Sequence, residues 1–289
     1  MAAATEPVVI SDPSEIRSNV LAAAGQGRRV GFVPTMGALH AGHVSLVDAA
    51  AGDCDDVAVS IFVNPTQFAP HEDFTRYPRT PAADLALLAG RRVRWVFAPR
   101  ADDIYPEGWC TRISVDGPAR RFEGELRPGH FSGVATVVCR LFMAVPAAAA
   151  YFGAKDWQQT LVVRRMVRDL GLPIGIVVCE TVREPDGLAM SSRNAYLGPG
   201  DRSRALGLSE ALEIAARAWD AGQDPAAVER LMRGHLESRG IAVDYAAVVD
   251  AETLEAVRPE SEPRALVAGR LGAVRLIDNR PLKPRRAGG

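Results

Sequence analysis

Short runs of Val, Ile and Phe recur along the first part of this 289-residue chain, and stretches with helical spacing separate them. The runs are Val30–Val33, Val57–Val63, Val93–Ala98 and Ile174–Cys179, with Ala148–Phe152 a further candidate. They lack the apolar–polar alternation of a half-exposed strand and read as strands buried on both faces, as in a parallel sheet. His43–Ala51, Pro81–Gly90, Phe131–Val145 and Asp156–Leu170 read as helices, with Pro81 in a first helical turn and Thr80 as its cap. Strands and helices in this order predict an α/β fold with a doubly wound, Rossmann-like parallel sheet. After about Val182 the texture changes. Glu184-Pro185-Asp186-Gly187 is turn-rich, Asp201–Trp219 and Pro225–Ser238 look helical, and Val243–Val249, Ala265–Ala268 and Val274–Ile277 look like strands. The expected organisation is a first domain over 1–182 and a smaller α+β domain over 183–289. No internal repeat is present, and the tail from Pro281 to Gly289, with basic residues, Pro and Gly, reads as loose.

Ligands of such sheets gather at the carboxyl ends of the strands. Pro34-Thr35-Met36 and Asn64-Pro65-Thr66-Gln67 both follow strands, so they are expected to meet at one crevice. The first of these leads into Met36-Gly37-Ala38-Leu39-His40-Ala41-Gly42-His43, where a helix begins near His43. Imidazoles three residues apart can face the same way at a helix start. A helix N-terminus presents unpaired N–H groups and partial positive charge, which suit phosphate, and histidine adds a donor that titrates near neutrality. The arrangement points to a nucleotide triphosphate site. A structural turn and a zinc site are the rival readings of so short a motif, although no Cys or acidic cluster lies nearby in sequence to complete a zinc ligand set.

A hydrophobic content of 47% and a charged content of 24% fit an ordinary globular protein. The formal net charge of -1 gives no field to attract nucleic acid. Cys54, Cys110, Cys139 and Cys179 are far apart in sequence and read as reduced thiols, mostly in the core. The residues from Met1 to Pro7 lack a basic start and an apolar signal core. The apolar run around Leu141 to Ala154 is too short for a bilayer and contains Pro146. The expectation is a cytoplasmic enzyme with no membrane partner.

Six segments, in order, resemble one family. They are Pro34–His43, Phe62-Val63-Asn64-Pro65-Thr66-Gln67-Phe68, Tyr77-Pro78-Arg79-Thr80, Arg127-Pro128-Gly129-His130-Phe131, Tyr151-Phe152-Gly153-Ala154-Lys155-Asp156-Trp157-Gln158-Gln159 and Met190-Ser191-Ser192-Arg193-Asn194. Together they resemble the pantothenate synthetases (pantoate–β-alanine ligases) from about residue 8 to about 280. The resemblance implies a nucleotidyltransferase-type fold and condensation of pantoate with β-alanine. ATP is the co-substrate, AMP and diphosphate are released, and the intermediate is a pantoyl adenylate. It also implies Mg²⁺ and a homodimer. Met36 through His43, Gly153 through Asp156, Val182 and Met190 through Arg193 would line the nucleotide, with Val182 offering backbone groups to adenine. Gln67 and Gln159, with Asn64, would hold pantoate, and Gln67 would also lie near β-alanine. Met36 and Phe68 read as apolar walls. His71 and His235 read as ordinary surface residues, and His130 as a group that orders a loop or dimer edge. The family more often carries an acidic residue where this chain has Ala154, so a charge beside Lys155 is missing. Asp84 stands where some members cluster acids near a metal, yet Ala82, Ala83 and Leu87 surround it. Mg²⁺ is therefore expected to travel with the ATP phosphates, with no metal ligand assigned to the protein.

The chemistry implied runs in two steps. Pantoate's carboxylate attacks the α-phosphorus without needing a base. His40, His43, Lys155 and Arg193 offset charge on the phosphates, and His43 is the leading proton-bearing group. The β-alanine amine then attacks the adenylate carbonyl, its proton going to a histidine or to solvent. Such an anhydride must be shielded from water, a part suited to the C-terminal domain as lid. Two rivals use the same residues: a plain nucleotidyltransferase that stops at the adenylated product, and a non-enzymatic ATP-binding sensor or assembly module.

Overall fold

The computed structural model describes residues 6–70 and 72–285. Its backbone divides into two compact units, Met1–Gly153 with Gln158–Glu180, and Ala154–Trp157 with Thr181–Gly289. The change of texture expected after 182 thus stands beside a division at 180/181. The four residues Ala154–Trp157 group with the second unit.

The first unit runs β1 (Val8–Ile10), α1 (Pro13–Gly25), β2 (Val30–Thr35), α2 (Ala41–Asp53), β3 (Asp56–Ile61), α3 (Pro81–Leu88), β4 (Val93–Phe97), α4 (Ala101–Ile104), α5 (Glu123–Leu126), α6 (His130–Ala144), β5 (Ala149–Gly153), α7 (Trp157–Leu170) and β6 (Gly175–Cys179). Its six strands form one sheet in the order β1-β4-β3-β2-β5-β6, and every pairing is parallel. Successive side chains of a strand point to opposite faces, and both faces here are apolar. Val30, Phe32, Ala58, Ala150 and Phe152 pack with α1, α6 and α7. Val33, Val57, Val59, Ala149 and Tyr151 pack with α2 and Leu88 of α3. Helices cover both faces, which is the doubly wound arrangement expected. Full burial of one such Val or Phe contributes about 1.5–3 kcal/mol.

The chain leaves β2 toward β3 and β4 on one side, then returns to its other side for β5 and β6. The switch point lies between the carboxyl ends of β2 and β5, where open α/β sheets place ligands. The β1 strand and α1 were not legible as elements. A three-residue strand carries too little periodicity, and it exists here through its pairing with β4 at Val8–Trp95, Val9–Val96 and Ile10–Phe97.

The second unit contains α8 (Pro199–Ala205), α9 (Gly207–Asp220), α10 (Pro225–Ser238) and an antiparallel sheet of β7 (Ala242–Asp250), β8 (Pro263–Leu271) and β9 (Val274–Pro281). Leu208, Leu212 and Trp219 of α9 and Val228, Met232 and Leu236 of α10 share one core with Val248, Val267 and Leu276 of the sheet. The single helix expected over 201–219 is interrupted between Ala205 and Gly207. Gly207 packs so closely that a Cβ there would lie 2.8 Å from Arg239 Cγ, and glycine sites are where helices bend.

The loose tail also needs correction. Pro281 ends β9, Leu282 is buried, and Trp219 Nε1 donates to the Lys283 carbonyl at 2.8 Å. The Arg285 guanidinium lies 3.5 Å from the centroid of the Trp219 ring. Residues 286–289 and His71 lie outside the described residues. Of the cysteines only Cys54 is buried. Cys139 and Cys179 are partly buried against the core and Cys110 is exposed, so three of the four thiols lie in or against the core as expected, and all four are unbridged. Among the described residues no helix is long and apolar enough to cross a membrane.

Candidate functional site

At the carboxyl end of β2 the chain turns through Gly37 at φ +80° and Ala38 at φ +50°. Two successive residues in this region aim neighbouring N–H groups the same way, a concavity suited to an anion. Here the anion is built in. Asp84 of α3, 1% exposed, accepts from Ala38 N at 3.0 Å and Leu39 N at 2.8 Å. Thr80 stands at the N-cap of α3 as expected, but its hydroxyl donates to Asp84 Oδ1 at 3.0 Å and makes no cap bond. The Thr35 hydroxyl donates to the Ser60 carbonyl and accepts from Gly37 N, so β2 and β3 together fix the start of the turn.

The helix α2 starts at Ala41, two residues before the expected start, with His40 as its N-cap. Gly42 N donates to His40 Nδ1 at 3.1 Å, and His40 N donates to His43 Nδ1 at 3.3 Å. Each Nδ1 is therefore an unprotonated acceptor, and the N–H of the neutral ring falls on Nε2. The rings lie 4.1 Å apart between centroids, tilted by 42°. The paired histidines thus cap the helix and keep a proton-bearing Nε2 each.

A second loop follows β3. Asn64 is 1% exposed and caps a 3-10 turn at Pro65–Gln67. Its Nδ2 donates to Gln67 Oε1 at 3.0 Å and to the Gly133 carbonyl at 3.2 Å. Its Oδ1 accepts from the Thr66 backbone N and hydroxyl and from the Tyr105 hydroxyl. Gln67 Nε2 in turn donates to Met36 Sδ at 3.3 Å, so the two post-strand loops do meet. The loop rests on α6 at a place where only glycine fits, since a Cβ at Gly133 would lie 2.4 Å from the Thr66 carbonyl oxygen. Phe68 packs with Phe74 and Tyr77.

This loop also contacts a part-buried ion pair, beside a buried histidine, that the sequence did not reveal. Arg127 donates to both oxygens of Glu72, Glu72 accepts from Ala69 N, and His130 Nδ1 lies 3.0 Å from the Gln67 carbonyl. His130 Nε2 lies 3.0 Å from Arg127 Nη1. A guanidinium only donates, so Nε2 accepts and Nδ1–H donates to Gln67. Burial, and then the Arg127 charge, lower the His130 pKa to about 4. Arg127 holds the Glu72 carboxyl at about 2 against the opposing effect of burial. On α7, Gln158 is consumed by structure, bonding to Pro118 O, Arg121 O and Glu123 N, while Gln159 is half-buried.

In the second unit Ala154–Asp156 form a 3-10 turn after Gly153. Lys155, with its side chain 18% exposed, lies 3.6 Å from Asp156 Oδ1. Val182 accepts through its carbonyl from Met190 N at 3.0 Å, and Arg183 pairs with Ala189. This narrow hairpin ends at Ser191, whose hydroxyl accepts from Arg193 N and caps the turn Ser192–Tyr196. Asn194 ties that turn back, donating to Glu184 at 2.7 Å and to the Ala189 carbonyl at 3.0 Å. His235 is an interhelical partner, its Nε2 lying 2.8 Å from Glu210 Oε2, and so is more than a surface residue.

The profile of the family described as Pantoate-beta-alanine ligase matches residues 8–281. The chain is 52% identical over 261 residues to the pantothenate synthetase of Rhodopirellula baltica, covering 89% of this chain and 92% of that protein. It is 48% identical to that of Rhizorhabdus wittichii, covering 96% and 99%. Among solved structures, a pantothenate synthetase from Thermus thermophilus superposes with a TM-score of 0.90 at 46% identity, covering 96% of this chain and all of the other (100%). The Francisella tularensis pantoate-β-alanine ligase, complexed with β-γ ATP and β-alanine, gives 0.81 at 36% identity, covering 95% and 97%.

Proposed function

The chain belongs to the pantoate–β-alanine ligase family, and we propose that it condenses pantoate with β-alanine through a pantoyl adenylate, using ATP and releasing AMP and diphosphate. The observation that carries this reading is the orientation of His40 and His43 at the end of a central strand beside the switch point. Both Nδ1 atoms accept from backbone amides, which puts the ring proton on Nε2, the atom we assign to phosphate oxygens.

The first step is attack of the pantoate carboxylate on the α-phosphorus of ATP, in line with departing diphosphate. A carboxylate is already nucleophilic, so the protein's task is alignment and charge stabilisation. Alignment alone is worth about 7–11 kcal/mol in favourable cases. His43 Nε2–H is assigned to the α-phosphate or the leaving group, as a hydrogen-bond donor and never as a covalent nucleophile. His40 shares the task, and the Lys155 and Arg193 cations offset charge on the phosphates. Met36 through Gly42, Gly153, Ala154, Asp156, Val182, Met190, Ser191 and Ser192 are assigned to the nucleotide. Gln67 and Gln159 are assigned to pantoate, and Asn64 joins them by orienting the Gln67 amide.

In the second step the β-alanine amine attacks the adenylate carbonyl and AMP departs. The second unit is assigned the part of a lid that keeps water from the anhydride. Mg²⁺ fits this reading as a companion of the triphosphate, where it neutralises phosphate charge. The Asp84 carboxylate is already engaged by two amides and a hydroxyl, and among the described residues no three His, Cys, Asp or Glu side chains converge. A homodimer is proposed on the strength of the family, and sedimentation measures it.

The test is diphosphate–ATP exchange with and without pantoate, followed by AMP release with and without β-alanine. Pantoate-dependent exchange and β-alanine-dependent AMP release are expected. Nucleotide binding without exchange would leave the sensor reading standing, and a stable adenylated product indifferent to β-alanine would favour the plain nucleotidyltransferase.

A further inference from the structure

The assigned lysine owes its place to a residue 124 positions later in the chain. Asn279 of β9 is 5% exposed, and its Nδ2 donates to the carbonyls of Ala154 at 2.9 Å and Lys155 at 2.8 Å. Both donors of one amide thus close on two successive carbonyls of the turn that carries Lys155. The orientation of that amide is set from the far side, because Arg264 Nη1 donates to Asn279 Oδ1. The Arg264 guanidinium also lies 3.5 Å from the centroid of the Trp157 ring, and Trp157 Nε1 donates to the Ala251 carbonyl at 2.7 Å. The segment Ala154–Trp157 is therefore fastened to the antiparallel sheet and the turn after β7 at three places.

Asp278, next to Asn279, does the same for the other phosphate segment. It is 3% exposed and accepts from Arg183 Nη1 at 2.7 Å and Nη2 at 3.0 Å, as well as from Asn279 N at 2.7 Å. Arg183 begins the hairpin that delivers Met190 through Arg193, and its Nη1 also donates to the Gly187 carbonyl at 3.0 Å. Adjacent residues of a strand face opposite ways, so one dipeptide reaches two loops at once.

We infer that Asn279 and Asp278 are positioning residues that set the Lys155 turn and the Ser191–Arg193 loop at a fixed separation for one polyphosphate. This rests on the reading of Lys155 and Arg193 as phosphate ligands. Preorganised charge of this kind needs no rearrangement at the moment of reaction, and a displacement of about 1 Å costs about 100-fold in rate.

A double-mutant cycle tests it. Asn279→Ala is expected to lower kcat/KM for ATP in diphosphate exchange by about 10- to 100-fold, with the KM for pantoate unchanged. In a Lys155→Ala background the same change is expected to cost less than about twofold, since residues acting as one unit are not additive. Asn279→Asp, equal in size but with an acceptor facing both carbonyls, is expected to behave like the alanine variant. It also serves if Asn279→Ala does not fold. Asp278→Asn is expected to show the same non-additivity with Arg193→Ala. Hydrogen exchange of the 154–157 amides, read on the full chain, is expected to quicken about tenfold in Asn279→Ala and not in Lys155→Ala. Losses that multiply in the double variant, or unchanged exchange at 154–157, overturn the inference. Should Lys155→Ala leave catalysis intact while Asn279→Ala still quickens exchange, the phosphate role of Lys155 falls and the anchoring stands.

Discussion

Replacing His130 by Asn should flatten the pH dependence of stability on the acid side of neutrality. The imidazole is buried at the start of α6, with Nδ1–H donating to the Gln67 carbonyl and Nε2 accepting from Arg127. A second proton would have to displace the Arg127 bond and place two cations side by side. Burial and that charge lower the pKa to about 4 from 6.5, against the opposing pull of the Gln67 carbonyl, Glu123 and Glu72. The folded value lies below the unfolded one, so the contribution is complete above about pH 6.5 and is lost as pH falls through about 4. A gap of about 2.5 pH units at about 1.4 kcal/mol each gives about 3 kcal/mol in all. Of this, about 2 kcal/mol disappears between pH 7 and pH 5. That window is well placed, because Glu72 titrates at about 2 when folded and 4.5 otherwise, and so acts mostly below it. In His130→Asn the Nδ2 group can keep the bond to Gln67, while the titrating group and the acceptor for Arg127 are gone. Urea unfolding followed by tryptophan fluorescence at pH 7, 6 and 5 measures the effect. The wild type is expected to lose about 2 kcal/mol more than the variant over this range. The variant's stability at pH 7 is not the readout, since the lost bond to Arg127 lowers it anyway. Parallel pH profiles for the two proteins would refute the assignment of a buried neutral imidazole.

Three further outcomes follow from the same geometry. His43→Ala should lower pantoate-dependent diphosphate exchange by well over tenfold while circular dichroism stays native, and near-normal exchange would remove His43 from the chemistry. Gln67→Ala should raise the KM for pantoate more than that for ATP in steady-state kinetics, and equal losses would count against its assignment. Gly133→Ala places a Cβ 2.4 Å from the Thr66 carbonyl and 2.7 Å from the Gln67 backbone. It should displace the loop, lower the melting temperature and weaken pantoate binding together, and a variant with native calorimetry and native pantoate KM would contradict that close approach.

Much of the fold was legible because two-sided burial leaves a mark in composition. Val57–Val63 and Val93–Ala98 predicted β3 and β4 within a few residues, and Pro225–Ser238 matched α10 from end to end. The elements missed are short or interrupted. The strand β1 has three residues and depends on β4, and the helix break falls at Gly207, where close packing on Arg239 and Ile241 leaves no room for a Cβ. The histidine pair was visible as spacing, yet the spacing did not say that both rings cap their own helix. Sequence assigned no metal to Asp84 but gave it no other task, and its carboxylate fills the anion-sized hollow formed by the amides of Ala38 and Leu39.

What the amino-acid order determined alone was local: which stretches are strand or helix, which face is apolar, and which motifs stand at strand ends. These depend on neighbours within a turn or two, and so they survive in the text of the chain. What only the tertiary structure decided was which distant groups complete each motif. Asn279 reaching the carbonyls of Ala154 and Lys155, and His130 reaching that of Gln67, are bonds to backbone oxygen, a partner that every residue carries. A side chain that recognises a carbonyl places no demand on the identity of the residue it holds. The dependence leaves no trace in sequence and becomes visible only when folding brings the two ends together.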